Sequence, residues 1–171
     1  MFLLTNLLKG AHRIFPAKIV YAHCDIPCGI YDPHMAQLAA LTIVRMNQLI
    51  EGLDAPTPDS SLEDRSTYVA KLGRFVGTKE HHAELCKQEL RILWGDYFTP
   101  DHIQQHPDIH DRFHSAMKLA SKARQSNDRQ AADDLLNAVQ GIAEVFWATK
   151  GADTSRQPSR HAVGGELVYP S

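Results

Sequence analysis

The chain has 171 residues, an ordinary length for one domain with a real hydrophobic core. Its 43% hydrophobic and 22% charged residues are typical of a globular protein and argue against disorder of the whole chain. The net charge of −2 comes without a long basic run, which argues against nucleic-acid binding because phosphate contacts need clustered Lys and Arg. No apolar run approaches the roughly 18–20 residues that cross a bilayer, so we expect no membrane association.

Residues 1–22 differ from a standard secretory signal. Residues 1–8 are apolar but short, and the positive charges follow them, whereas a signal peptide places its charges first. Residues 20–22, Val-Tyr-Ala, still look like a small-residue cleavage site, so export stays open. The three cysteines do not fit the disulfide framework of a secreted domain and favour a reducing compartment. We therefore interpret residues 1–22 as a removable leader of another kind and expect a cytoplasmic protein.

Residues 23–33, His-Cys-Asp-Ile-Pro-Cys-Gly-Ile-Tyr-Asp-Pro, carry the side chains best suited to metal chemistry. Three residues separate Cys24 from Cys28, and Pro27 with Gly29 makes a continuous helix there improbable. The chain must therefore form a hook, which can bring both sulfurs and backbone atoms to one centre. Thiolates select soft or borderline metals, and nitrogen donors beside them favour square-planar copper or nickel.

The cysteine spacing alone leaves other interpretations open. A structural zinc site commonly uses two cysteine pairs, and an iron–sulfur cluster needs more cysteines than the hook offers. A redox disulfide favours a two-residue spacing, and two reduced cysteines without a role remain possible on spacing alone. Cys86, far along the chain, is interpreted as a buried small hydrophobe.

Beyond the hook, apolar residues recur at three- and four-residue spacing, which predicts helices. We predict four of them, over residues 34–51, about 62–97, roughly 108–126 and about 129–149. Short connections between amphipathic helices favour an antiparallel bundle, so the predicted fold is an all-α four-helix bundle over residues 34–150.

Two further features qualify this helical prediction. Gly73 and Gly77 lie near the middle of the second helix, where they permit a bend or a break. Residues 151–171 are rich in Gly, Pro and Ser and are predicted to form a flexible C-terminal tail.

The hook closely resembles that of nickel superoxide dismutases, whose pattern is H-C-x-x-P-C-G-x-Y-D-P. Every fixed position of that pattern is matched, in order, between His23 and Pro33. The resemblance continues at residues 93–98 (LWGDYF), 107–110 and 145–147 (VFW), and covers about residues 23–150. It implies an oxidoreductase that converts superoxide to oxygen and hydrogen peroxide by Ni(II)/Ni(III) cycling. It also implies a homohexamer with one nickel ion per subunit.

The resemblance implies that His23 is the first residue of the mature enzyme. Cleavage after Ala22 would free the α-amine of His23. Nickel would then bind this amine, the backbone nitrogen and thiolate of Cys24, and the thiolate of Cys28, with the His23 imidazole as an axial ligand in the oxidised state. The uncleaved chain would stay inactive, so a maturation protease and a nickel chaperone are implied partners.

The resemblance also assigns roles to Tyr31 and Asp25, while two positions outside the hook differ from those of some family members. Tyr31 is implied to position superoxide or water by hydrogen bonding, and Asp25 to hold the shape of the hook. Some family members anchor the axial histidine with a glutamate and an arginine, at positions where this chain has Ala39 and His82. Because the carboxylate is missing, the orientation of His23 is open. The alternative function is therefore a non-catalytic protein that binds or delivers nickel or copper.

One further histidine pattern recurs every four residues, at His102, His106, His110 and His114. Pro107 divides the series, so only the last two clearly share a helix face. We interpret the series as a polar face or a subunit contact in preference to a second metal site.

Overall fold

The computed structural model describes residues 29–171, and the leader and residues 23–28 of the hook lie outside this part. The first helices are α1 (His34–Glu51) and α2 (Leu62–Ile92), which continues into a π-helical turn (Leu93–Tyr97). They are followed by α3 (Pro100–Gln105), α4 (Ile109–Gln125) and α5 (Arg129–Thr149). Antiparallel strands β1 (Thr154–Pro158) and β2 (Glu166–Pro170) complete the described chain. The predicted predominance of helix is confirmed.

The long helices form close to where their periodicity predicts them, with one difference after residue 92. Ser61 caps α2 by accepting a hydrogen bond from the Asp64 amide, and the helix runs unbroken through Gly73 and Gly77. The predicted second helix includes the π-helical turn, but the prediction missed α3. Thr99 starts α3 by accepting from the His102 amide, with Pro100 as its first residue.

The hydrophobic core lies between four long helices, α1, α2, α4 and α5. The helix α1 contacts α2 and α5, and α4 contacts the same two helices. Buried alanines permit close helix approach around larger buried side chains such as Phe113, Ile142 and Phe146. Within residues 29–171, no helix combines the length and the apolar character needed to cross a bilayer.

The two halves of α2 differ in burial. Its buried residues, Lys79, Ala83, Cys86 and Leu90, all lie in the second half. The first half presents Leu62, which is 82% exposed, and Val69, which is 65% exposed. Since α2 has 31 residues and α1 has 18, its first half extends beyond the core.

The prediction of a flexible tail over residues 151–171 is wrong, and with it the strictly all-α class. The two strands pair from Thr154 with Pro170 to Pro158 with Glu166, and Leu167 and Val168 are buried. We call residues 151–171 the C-terminal hairpin. Its order comes from helix side chains far away in sequence, so the local abundance of Gly, Pro and Ser could not reveal it.

Candidate metal centre

The end of the hook leads directly into α1. Gly29 has φ +78°, a left-handed conformation that glycine adopts without steric cost, and Pro33 is buried just before the helix. The amide of His34 donates to Oδ1 of Asp32 over 2.7 Å, which satisfies one amide at the start of α1. The last residues of the predicted hook are therefore attached to the helical core without a linker.

Tyr31 is the one predicted site residue that falls within the described part of the chain. Its half-buried ring lies 5.6 Å from the ring of Tyr97, measured between centroids. Tyr97 is itself fixed, because its ring lies 4.5 Å from that of Phe146 and its hydroxyl lies 2.7 Å from Oγ1 of Thr149. The Thr149 hydroxyl donates to the carbonyl of Phe146, so Tyr97 donates to Thr149. The base of the hook thus rests on an aromatic cluster at the end of α5.

A cation lies on the same aromatic cluster. Nζ of Lys150 is 5.1 Å from the ring centroid of Phe146 and 5.4 Å from that of Tyr97. Ring faces attract cations at such distances. The cluster on which Tyr31 packs therefore carries a local positive charge that attracts small anions.

A second feature of the described chain is a groove between α1 and α2, with a cavity volume of about 400 Å³. We call it the α1–α2 groove. Ala39 of α1 and His82 of α2 both line it, so the structure brings these two positions together. Nδ1 of His82 lies 2.9 Å from the carbonyl oxygen of Thr78. Because a carbonyl can only accept, Nδ1 carries the proton and Nε2 of the neutral ring is left as an acceptor.

The rest of the groove is apolar below and cationic at its rim. Met35, Leu38 and Leu85 contribute the apolar surface. Arg45 of α1 and His161 of the C-terminal hairpin contribute polar groups. The guanidinium of Arg45 donates to Oε1 of Gln48, whose amide donates to the carbonyl of Val163. This chain of hydrogen bonds ties the rim to the hairpin turn.

Cys86 offers no competing thiolate. Its side chain is fully buried, and burial raises the pKa of the thiol to about 12, with a smaller contribution from the nearby Glu89 carboxylate. In the part of the chain from residue 29 onward, no three His, Cys, Asp or Glu side chains form a cluster that could hold a metal. The donors His23, Cys24 and Cys28 precede that part, and two thiols with an imidazole suit a soft or borderline metal.

Comparison with known proteins gives one consistent result. Residues 18–150 match the family model described as nickel-containing superoxide dismutase. The chain belongs to the nickel-containing superoxide dismutase family. The superoxide dismutase activity and the nickel cofactor predicted from the sequence are thereby confirmed.

Individual relatives agree with the family match. The superoxide dismutase [Ni] of Streptomyces coelicolor is 34% identical over 141 residues, which span 82% of this chain and 98% of the relative. The corresponding protein of Streptomyces seoulensis is 35% identical over 141 residues with the same coverage. A native nickel superoxide dismutase structure is 32% identical with a TM-score of 0.64, over 75% of this chain and 99% of that one. A structure with nickel ligation of the oxidised state gives a TM-score of 0.65 at 32% identity, over 76% of this chain and all of that one.

The family match ends at residue 150, one residue after α5 ends. The C-terminal hairpin therefore lies beyond it, although His161 lines the same groove as Ala39 and His82. Sequence reasoning did not single out Arg45 and His161, which line the α1–α2 groove, or Lys150, which lies on the aromatic cluster beside Tyr31. Nothing in their local sequence distinguishes them, since packing between distant elements brings each to its place.

Two members of the histidine series have aromatic partners in the described chain. His110 accepts a hydrogen bond from the Trp94 indole over 2.7 Å, and His102 stacks on Tyr97 with ring centroids 5.3 Å apart. In the described chain these side chains pack against aromatic residues and form no metal cluster. The interpretation of the series as a subunit contact stays a prediction.

Proposed function

We propose that this chain disproportionates superoxide at a nickel centre formed by His23, Cys24 and Cys28. The α-amine and imidazole of His23, the backbone nitrogen and thiolate of Cys24 and the thiolate of Cys28 would hold the metal. Bound nickel supplies a Ni(II)/Ni(III) couple that oxidises one superoxide to oxygen and reduces a second, with two protons, to hydrogen peroxide. The thiolates and the anionic amide nitrogen donate charge, which brings that couple into a useful range.

The observation that carries this assignment is the family match, and the burial of the third thiol, that of Cys86, supports it. Cys86 is buried with its pKa raised to about 12, so it stays protonated. Soft donors for nickel must then come from Cys24 and Cys28, which fall at the two cysteine positions of the family hook. The family match over residues 18–150 includes both.

The described residues near the hook suit an anionic substrate. Tyr31 would position superoxide or a water molecule by hydrogen bonding, and its packing on Tyr97 supports a fixed position. The Lys150 cation behind Tyr97 would attract superoxide toward this side of the hook. Asp25 would hold the shape of the hook through bonds to backbone amides.

The proposed assembly is a homohexamer of four-helix bundles, each with an N-terminal hook and one nickel ion. The exposed apolar residues Leu62 and Val69 on the projecting half of α2 support burial against another copy. The proposed partners are a maturation protease, which removes residues 1–22, and a nickel chaperone. We propose the cytoplasm as the compartment, because the three cysteines fit no disulfide framework.

The experiment that tests this function compares two proteins loaded with nickel under identical conditions. One begins at His23 and the other is the full-length chain. Rapid superoxide decay with the processed protein alone is expected, because the uncleaved chain has a peptide bond where the amine ligand should be. A processed protein that holds nickel but leaves superoxide decay unchanged would instead support the alternative of nickel or copper binding and delivery, which the alanine at position 39 favours.

A further inference from the structure

We propose that the projecting half of α2 forms an antiparallel pair with the same segment of a second copy of this chain. The surface that makes this contact is called the α2 face, and its members are Leu62, Ser66, Val69, Gly73 and Val76. This inference rests on the proposed function, because it names one contact within the proposed assembly of several copies.

The α2 face is apolar although it is open to solvent. Leu62 and Val69 are two of the four large apolar side chains that the described chain leaves exposed. Val76 is half-buried and follows Val69 by seven residues, as Val69 follows Leu62. Residues seven apart lie on one side of a helix, which is the spacing by which two helices pair along their length. Exposed apolar surface of this kind is typical of a contact with another molecule.

Within residues 29–171, the other elements pack on different sides of α2. The end of α1 contacts the opposite side, where Leu49 and Leu53 line a depression together with Thr67 and Phe75 of α2. The fully buried positions of α2 begin only at Lys79, in its second half. The α2 face is therefore accessible to a second helix along its whole length.

The small residues of the α2 face permit a close approach. Gly73 lies inside a long helix, where glycine is less favourable than alanine, and a Cβ added there would meet nothing within 4 Å. Contacts within the described chain thus give no reason for a glycine at this position. With Ser66 one helical step away, it leaves a shallow gap between the larger side chains of Leu62, Val69 and Val76, into which a partner helix can pack.

The order of these residues fits an antiparallel copy of the same helix. A two-fold interface must be complementary to itself. If the two-fold axis passes beside Val69, this residue meets its own copy, and Leu62 meets the partner's Val76, because each lies seven residues from Val69. Ser66 then lies near the partner's Gly73. Large apolar residues therefore face large ones, and small residues face small ones.

Charge complementarity supports the same arrangement. Glu63 and Arg74 are eleven residues apart, which is about three helical turns, so both lie along one edge of the α2 face. Neither forms an ion pair within the described chain. In an antiparallel two-fold pair the same edges of the two helices meet. Glu63 of each copy is thereby placed beside the partner's Arg74, which gives two ion pairs of opposite charge.

The first test measures association by sedimentation of the processed, nickel-loaded protein over a range of concentrations. Val69→Glu places two carboxylates against each other at the two-fold axis. The matched control is Thr67→Glu, which makes the same change at an exposed β-branched residue on the side of α2 that faces α1. We expect the dissociation constant to rise at least roughly 100-fold for Val69→Glu, and to change less than about threefold for the control.

The second test addresses the direction of the partner helix. Glu63→Arg and Arg74→Glu each set like charges beside one another and should each weaken association roughly tenfold. The two changes combined should restore it, which separate structural damage from either change would not do. In a chain with Leu62→Cys and Val76→Cys, mild oxidation should join position 62 to the partner's position 76. Within one helix these positions are about 21 Å apart, so they cannot form this disulfide in a single chain.

Several results would overturn the inference. Wild-type protein that stays monomeric at every concentration would exclude a second copy as the occupant of the α2 face. Equal association of Val69→Glu and Thr67→Glu would exclude the α2 face as the contact, and disulfides that join position 62 to its own copy would exclude the antiparallel order.

Nickel content and superoxide decay, measured on the same samples, test the proposed function separately. Protein that pairs as expected but leaves superoxide decay unchanged would contradict the proposed function and support the pairing. Active protein that fails to pair through the α2 face would contradict this inference and leave the dismutase activity unaffected.

Discussion

The predicted hook near the N-terminus and the C-terminal hairpin depend on different properties of their residues. The proposed nickel ligands lie within a few consecutive residues near the N-terminus. Their thiol, imidazole and backbone nitrogen groups are donors that suit nickel. The C-terminal hairpin contains no cysteine and is held by buried glutamines of the helices, such as Gln37, whose amide contacts both backbone groups of Val168. The hook is proposed to bind the metal and the hairpin is held by packing, so substitutions at the two ends should produce different losses.

The largest expected effect is at the hook. Cys28→Ser replaces a proposed thiolate ligand with a hydroxyl, a much poorer ligand for nickel at neutral pH. We expect loss of nickel and of superoxide decay well beyond the roughly 10–100-fold that loss of an outer partner causes. The matched control is Cys86→Ala, which should cost some stability through a small cavity but retain nickel. Metal analysis and superoxide decay measure both, and nickel bound normally by Cys28→Ser would contradict the ligand assignment.

A chemical comparison of the thiols should sharpen the contrast between hook and core. Burial raises the pKa of Cys86 from 9.0 to about 12, and each unit lowers the thiolate fraction tenfold. In nickel-free native protein we expect a thiol reagent to modify Cys24 and Cys28 at least about a thousandfold faster than Cys86. Peptide mapping after a timed reaction measures this, and rapid modification of Cys86 in the folded chain would contradict it.

The same raised pKa has a consequence for stability. Since the thiol ionises more readily in the unfolded chain, the contribution of Cys86 is complete below pH 9 and is lost as the pH rises toward 12. Denaturant unfolding of wild type and Cys86→Ala across this range should show the alanine variant losing less stability. Parallel curves for the two proteins would be inconsistent with this origin.

The hairpin should respond most strongly to a change on a distant helix. Gln37 is fully buried, its amide nitrogen donates to the Val168 carbonyl over 3.1 Å, and its oxygen accepts from the Val168 amide over 2.7 Å. Gln37→Leu leaves both backbone groups buried without partners, so we expect a loss of about 3 kcal/mol in the free energy of unfolding. Gln48→Leu removes one bond to the hairpin, to Val163, and the bond that Gln48 accepts from the solvent-accessible Arg45, and it should cost about 1 kcal/mol.

Denaturant unfolding measures both glutamine variants. Equal losses would indicate that the hairpin is held by its apolar contacts rather than by Gln37.

These contacts also explain what the sequence could and could not predict. Helices α1 and α5 were predictable because their apolar periodicity and end residues are local. The nickel cofactor was predictable because residues 23–33 match the family pattern at every fixed position, while the hook itself stays a prediction. The hairpin was not, since the bond that orders it joins residues 131 positions apart. The groove that unites Ala39, His82 and His161 depends on that same long-range packing.

The smallest expected effect is at an exposed ion pair that also joins the hairpin to a helix. Nε of Arg156 lies 2.8 Å from Oε1 of Glu144, and Nη1 of Arg156 donates to Oε1 of Gln140 over 2.9 Å. The two charged side chains are 39% and 38% exposed, so solvent screens their attraction. Arg156→Met keeps the apolar stem, and we expect it to cost less than about 1 kcal/mol, decreasing further with added salt. A loss as large as that of Gln37→Leu, measured by the same denaturant unfolding, would show that surface charge and not buried hydrogen bonding holds this end of the chain.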